Sequence, residues 1–325
     1  MGTTNWAHIF AKVGADPDEA NRRFLAAHRP PPPTPPPPHS QKPIDLGAPT
    51  RTKMRRQFST IARRQVRLVI ADRAYFAFLA VLPFVMGVLS LTVPGTTGFG
   101  IGNPQSKTPD EAGQILTLLT IAAVFMGTAL TIRDLIGERA IFRREQAVGL
   151  SAQAYLLAKV STFSAFAVLQ SAITTTIVLL GKGTPTRPAL ALGNASLELF
   201  IVVAATCVAS AMLGLMLSAL ARSNEQIMPL LVVSLMMQLV LCGGMVPVTN
   251  RIFLDQLSWT VPARWGYAAQ AATIDLKTLT PGPLQSTDRH WRHLSGTWLF
   301  DMGMLAVLSL TYVSIVWSRI RLKRH

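Results

Sequence analysis

The fold is decided by Glu138-Arg-Ala-Ile-Phe-Arg-Arg-Glu-Gln-Ala-Val-Gly-Leu-Ser151 and by Ala154-Tyr-Leu-Leu-Ala-Lys159, which follows it closely. This charged, roughly helical stretch lies between two long apolar runs. Its ionisable residues are Glu138, Arg139, Arg143, Arg144, Glu145 and Lys159. A charged side chain in the lipid interior costs several kcal/mol. The stretch is therefore predicted to lie outside the bilayer, on the side where arginine accumulates.

The composition of the whole chain indicates a polytopic membrane protein. Of the 325 residues, 50% are hydrophobic and 14% are charged, whereas soluble domains carry about 25% charged residues. Several apolar runs approach or exceed about 18 residues, the length of a membrane-crossing helix. The net charge of +15 could suit a nucleic-acid-binding protein. Because lysine and arginine gather at the ends of the apolar runs, no nucleic acid partner is expected.

Six transmembrane helices are predicted, which makes the fold class an all-α membrane protein. Their predicted ranges are 74–93, with a break at Pro83, then 114–132, 155–181, 192–220, 227–246 and 297–317. Most lysine and arginine residues flank these spans on the side of the charged stretch, so both termini are predicted to be cytoplasmic. The expected location is the plasma (inner) membrane, with multiple passes.

The N-terminal region divides into three segments. Residues 1–28 have the apolar spacing of one or two amphipathic helices. Residues 29–50 are proline-rich and are predicted to form an extended linker. Residues 51–73 carry eight basic residues interleaved with apolar ones, which predicts an amphipathic connecting helix in the inner headgroup layer. The six-helix domain occupies residues 74–325.

Chemical sites are sparse in the sequence. There is no Walker A motif, catalytic constellation or metal-ligand spacing, so the chain itself is not expected to be an enzyme. Cys207 and Cys242 fall inside predicted spans and give no disulfide framework. All six histidines lie outside the spans and are expected to be solvated. Glu198 and Asp301 lie inside spans and are expected to pair with outer-loop arginines or to reach the headgroups.

The charged stretch resembles a signature of the G subfamily of ABC transporters, the White-type exporters. That pattern is E-R-x-x-F-x-R-E-x-x-x-G-x-S-x-x-x-Y-x-x-x-K, filled here by Glu138, Arg139, Phe142, Arg144, Glu145, Gly149, Ser151, Tyr155 and Lys159. The resemblance implies a coupling helix, through which a membrane domain contacts its ATPase. The coupling residues it implies are Glu138, Arg139, Phe142, Arg143, Arg144 and Glu145. Removing Glu138 or Arg144 is predicted to disturb coupling and to leave folding intact. Charge alone would equally fit a basic positive-inside loop.

The connection between the last two spans resembles the final outer loop of the same subfamily. The matching residues are Gly243, Gly244, Leu257, Ser258, Pro262, Gly266 and Tyr267. The resemblance implies a re-entrant outer loop. Many animal members carry cysteines in this loop and this chain has none, so a disulfide-bridged cap is not expected.

The resemblance further implies that the second and fifth spans line a central cavity across a two-fold axis. Candidate substrate-path residues are Thr120, Met126, Ser234, Met237 and Gln238. Methionine adapts well to hydrophobic ligands. Methionine and small residues also serve ordinary helix packing, and that alternative stays open.

The resemblance as a whole implies a type-2 permease, one half of a homodimeric ATP-driven exporter. The N-terminal segment and linker resemble those of actinobacterial, especially mycobacterial, fused proteins in which FHA domains and an ATPase precede the permease. ATP and Mg would bind at an ATPase domain outside this chain, and residues 1–28 would be its tail or an isolated cytosolic helix. The substrate implied is a lipid, glycolipid or other hydrophobic envelope compound. A membrane-anchored scaffold and a secondary transporter are the alternatives; no inverted repeat supports the latter.

Overall fold

Long helices make up most of the computed structural model, which describes residues 14–28, 54–102, 108–280 and 288–321. The helices are α1 (Pro17–Ala27), α2 (Met54–Ala71), α3 (Arg73–Leu91), α4 (Glu111–Thr131), α5 (Asp134–Ala147), α6 (Ala152–Lys182), α7 (Ala195–Leu220), α8 (Ile227–Leu241), α9 (Leu254–Ser258), α10 (Pro262–Ile274), α11 (Leu276–Leu279) and α12 (Ser295–Ile320). The described residues contain no strand.

Within the described residues, six segments are long and apolar enough to cross a membrane. They are α3, α4 together with α5, α6, α7, α8 with the 3₁₀ turn before it, and α12. The predicted all-α membrane fold with six spans is therefore confirmed. The fifth span ends at Leu241, earlier than predicted, and Gly243 soon after it adopts a φ of 89°. A residue in this left-handed region cannot continue a right-handed helix.

The chain separates into two units, Met1–Arg51 and Thr52–His325. In the first unit, α1 is the helix that the structure describes, and the Asp16 side chain caps its first turn by accepting the Glu19 N–H. The remainder of the predicted N-terminal helices and the linker at 29–50 lie outside the described residues. The second unit contains all six candidate spans.

The centre of the second unit is the contact between α4 and α7, both of which are mostly buried. At Gly127 a Cβ atom would lie 2.2 Å from the Cys207 carbonyl oxygen, so only glycine allows this approach. Small residues are the usual means by which membrane helices pack closely. Helices α3, α6, α10 and α12 surround this pair.

Helix α3 passes through Pro83 without the predicted break. Proline has no N–H, so the carbonyl of Leu79, four residues earlier, loses its helical partner. Gln170 of α6 supplies a replacement by donating its Nε2 to that carbonyl at 2.8 Å, and Thr174 donates to the Pro83 carbonyl at 3.1 Å. Neighbouring side chains satisfy the freed backbone groups, which is how membrane helices tolerate proline.

Candidate functional site

A buried lysine organises one end of the helix bundle. Lys159 of α6 has only 1% of its side chain exposed, and its Nζ lies 2.7 Å from Asp134 and 2.8 Å from Glu138 of α5. A buried charge is tolerated only when it is paired and hydrogen-bonded. These three residues, with Arg64, Gln65 and Tyr155, are called the Lys159 cluster below.

The amphipathic helix α2 joins the same cluster. Lys159 Nζ donates to Gln65 Oε1 at 2.6 Å, and Gln65 Nε2 donates to Asp134 Oδ1 at 2.9 Å. Arg64 lies 3.6 Å from Glu138 and also donates to Glu145. The cluster therefore binds α2, α5 and α6 to one another through charged and polar side chains.

The aromatic residues of the signature complete this contact. The Tyr155 hydroxyl donates to Glu138 Oε2 at 3.0 Å, and its ring packs against the ring of Phe142, with centroids 4.3 Å apart. Ser151 caps the start of α6 by accepting the Ala154 N–H. The spacing between Glu138 and Lys159 thus brings the signature residues to one turn between two helices.

The predicted coupling residues divide into inward and outward groups. Glu138, Phe142 and Glu145 contact α2 or α6, and Arg139 donates to the Ala219 and Ala221 carbonyls at the end of α7. Arg143 and Arg144 are exposed. Glu138 therefore faces the buried Lys159, within the bundle, and not the outward side of α5.

The outward face of α5 presents a different set of residues. Ile141, Arg144 and Val148 are exposed, and Val148 is 91% exposed. Together with the outer face of α2 they border a depression of about 850 Å³, called the α2–α5 groove below. Ile141 and Val148 were not among the predicted coupling residues, although an exposed apolar residue in or next to a charged helix is a signal for a contact surface.

An apolar cavity of about 260 Å³ lies between α4 and α8. Two of the predicted substrate-path residues, Thr120 and Gln238, line it. The other lining residues are Ile121, Val124, Phe125, Leu235, Met236, Leu239, Cys242 and Ala263. None of these eight was among the five candidate path residues.

Three predicted path residues do not line this cavity. Met126 is buried, and its Sδ accepts a hydrogen bond from Thr174 Oγ1 of α6 at 3.4 Å. Met237 is exposed and Ser234 is half-buried. Positions two residues apart on a helix point in nearly opposite directions, so Met126 and Met237 face away from Val124 and Leu235.

Helix α10 adds polar contacts beside the cavity. Gln238 Oε1 accepts the Ala263 N–H at 3.1 Å, and Gln270 Nε2 donates to Thr120 Oγ1 at 3.0 Å. Every residue of α10 is buried. At Gly266 a Cβ atom would lie 2.3 Å from Thr206 Oγ1, which accounts for the glycine of the outer-loop motif.

The two intramembrane carboxylates have partners other than those expected. Glu198 accepts N–H groups from Leu190, Ala191 and Leu192 at 2.9, 2.5 and 2.7 Å, and so holds the loop before α7. Asp301 is fully buried and lies 3.1 Å from His290 Nδ1. Among the described residues neither pairs with an arginine, both carboxylates are buried, and His290 is buried, not solvated.

Another buried ion pair lies in the long connection before α12. Arg264 of α10 is 1% exposed and contacts Asp288. Burial raises the pKa of Asp288, but Arg264 and the His290 N–H together hold that pKa below its ordinary value. Asp288 is therefore ionised at neutral pH. Among the described residues, no three His, Cys, Asp or Glu side chains are placed to hold a metal ion.

Comparison with known proteins adds two findings. The family model "ABC-2 type transporter" matches residues 56–274, which run from α2 to the end of α10. The chain is 64% identical over 323 residues to the ABC transporter ATP-binding/permease protein Rv1747 of Mycobacterium tuberculosis. That match covers 99% of this chain and 37% of the relative.

Proposed function

The chain belongs to the ABC-2 type transporter membrane family, and on that premise we propose that it is the permease of an ATP-driven exporter. The relative's name joins an ATP-binding part to a permease, and this chain, with six candidate spans, covers 37% of that relative. ATP and Mg would be bound by an ATPase domain outside the chain, either fused or separate. The Lys159 cluster is the observation that carries this proposal.

In this proposal the Lys159 cluster transmits movement of the ATPase to the helix bundle. An ATPase docked in the α2–α5 groove would move α2 and α5, which the cluster joins to α6 through paired charges. Arg139 extends the path to the end of α7. In this proposal Glu138, Arg139, Phe142 and Glu145 transmit motion within the bundle, and Arg144, which lines the groove, contacts the ATPase. Arg143 is exposed on another face of α5 and lines a separate cavity.

The cavity between α4 and α8 is the proposed substrate path. Its lining is almost wholly apolar, with Thr120 and Gln238 as the polar exceptions, which suits a lipid, a glycolipid or another hydrophobic envelope compound. Helix α8 leaves much of its apolar surface uncovered, including Val232, Val233 and Met237. A second copy packed against this surface would enlarge the cavity, so the proposed assembly is a homodimer.

Filling the cavity tests the proposal. Ile121 lines the cavity and is only half-buried, so Ile121→Trp would occupy the space without disrupting the core. We expect ATP-driven export of a labelled lipid from proteoliposomes, made with the ATPase present, to fall by about tenfold or more, which corresponds to about 1.4 kcal/mol of lost binding. Ile121→Val is the matched control and should export like the parent. Equal export by the Trp variant would exclude this cavity as the path.

Orientation is a separate part of the proposal. The charged end of the bundle, with both termini, is placed on the cytoplasmic side of the plasma membrane because lysine and arginine accumulate there. Ala147 and Arg251 are both exposed, and Cys207 and Cys242 are buried. In intact cells, Arg251→Cys should react with an impermeant thiol reagent and Ala147→Cys should react only after lysis. Labelling of Ala147→Cys before lysis would reverse the topology.

A further inference from the structure

Five arginines line a cavity of about 600 Å³ at the same end of the bundle as α5. Arg139 and Arg143 lie on α5, Arg222 follows α7, and Arg319 and Arg321 lie at the end of α12. No acidic residue is among the described residues that line this cavity, called the arginine pocket below. Within the described part of the chain, none of the five forms an ion pair with a carboxylate.

The positive charge of the pocket is therefore not neutralised by its own walls. Arg139 donates to backbone carbonyls, and Arg321 stacks over Trp317 at 5.0 Å, so both are held in place without losing charge. Arg143, Arg222 and Arg319 are exposed. Like charges gathered in one cavity repel one another, and an anion would relieve that repulsion. The planar guanidinium group matches a phosphate through two parallel hydrogen bonds.

An apolar groove of about 450 Å³ lies along the second half of α12, whose last residues line this pocket. It is lined by Val307, Leu310, Thr311, Ser314, Ile315 and Ser318. The three hydroxyl groups donate to carbonyls of their own helix at 2.8, 2.7 and 2.7 Å, so they do not compete for an acyl chain.

The groove and the pocket follow one stripe of α12. Arg321 comes three residues after Ser318, and Arg319 comes four residues after Ile315, so the two arginines continue the face that forms the groove. A ligand with an anionic head and an apolar tail would fit both features. A soluble anion or an acidic protein surface would occupy the pocket and leave the groove empty.

We propose that the arginine pocket and the α12 groove together bind one anionic phospholipid, with its phosphate among the arginines and an acyl chain along α12. Basic pockets between transmembrane helices are suited to such headgroups. The assignment of this lipid to the inner leaflet rests on the orientation under Proposed function, whereas the site itself does not. Because Arg139 and Arg143 belong to α5, the bound lipid would join the end of α12 to that helix.

The test measures binding of fluorescent phosphatidylglycerol to the full chain purified in detergent. The double variant R222Q/R319Q removes two pocket arginines, and R63Q/R67Q removes two exposed arginines of α2 that do not line the pocket. Each arginine near an anionic lipid contributes about 1 kcal/mol, so the pocket variant should bind about thirtyfold more weakly. The α2 variant should bind like the parent, and both should melt at the parental temperature.

Two further arms identify the ligand. Inorganic phosphate and phosphatidylcholine should fail to displace phosphatidylglycerol, and Ser314→Trp, which obstructs the groove, should weaken its binding severalfold. If R63Q/R67Q weakened phosphatidylglycerol binding equally, the effect would come from general surface charge, and the proposal would be overturned. Displacement by inorganic phosphate would show a site for a soluble anion and would overturn the assignment to a phospholipid. A change of oligomeric state with Ser314→Trp would show that a second copy covers the groove, and would also overturn it.

Discussion

Lys159→Ala is expected to remove most of the folded protein from the membrane. The substitution leaves Asp134 and Glu138 facing each other in a buried site without their lysine. Breaking one side of a buried ion pair costs about 3–5 kcal/mol, a large share of the roughly 5–15 kcal/mol that stabilises a typical domain. The measurement is membrane abundance by immunoblot, together with thermal unfolding of the detergent-solubilised protein.

Two control variants make this result specific. Arg63→Ala removes an exposed positive charge from α2 and should change neither abundance nor melting. Combining Lys159→Met with Asp134→Asn and Glu138→Gln removes the charges together and should restore much of the stability, because neutral replacements leave no unpaired charge. If Lys159→Ala melts like the parent, the Lys159 cluster does not hold the three helices together.

Arg144→Glu combined with Val148→Asp is expected to abolish export while folding stays intact. Both side chains are exposed, Arg144 on the outward face of α5 and Val148 directly after that helix, so no contact within the bundle is lost. A docking contact with an apolar anchor typically carries at least about 2 kcal/mol, so introduced charges there should lower export by roughly thirtyfold or more. ATP-driven lipid export and ATP hydrolysis are measured in the same proteoliposomes, and hydrolysis should persist at a changed rate.

The conservative variant Val148→Thr is the matched control, because it keeps the shape and adds no charge. It should retain export close to that of the parent. Unchanged export by the charged double variant, at equal membrane abundance, would mean that α5 is only a basic loop and that the proposed route from the ATPase is wrong.

The six spans were predictable because the lipid interior imposes length and hydropathy on any helix that crosses it. The two places where the spans differ from the prediction depend on tertiary contacts. Pro83 predicted a break, but the side chain of Gln170, on another helix, supplies the missing hydrogen bond. The end of α8 depends on the φ of Gly243, which the surrounding packing selects.

The sequence predicts the residue types of the candidate sites better than it predicts the direction in which each side chain points. The spacing from Glu138 to Lys159 pointed to one functional turn, and a lone lysine in an apolar run requires a counter-charge. Which carboxylate supplies it depends on the rotation of α5, and the structure gives both Asp134 and Glu138. The same dependence on helix rotation explains why Thr120 and Gln238 line the cavity between α4 and α8 and Met126 and Met237 do not.

The cavity between α4 and α8 has walls of unequal stiffness. Helix α10 is bonded to α4 through Gln270 and Thr120, and again through the Tyr267 hydroxyl and the Gly113 carbonyl at 3.4 Å. Helix α8 is bonded to α10 through Gln238, and much of its remaining surface is uncovered. Displacing α8 would therefore break few interactions, whereas displacing α4 would break its central packing against α7. The cavity can therefore widen through movement of α8 alone, while α4 and α10 stay in place.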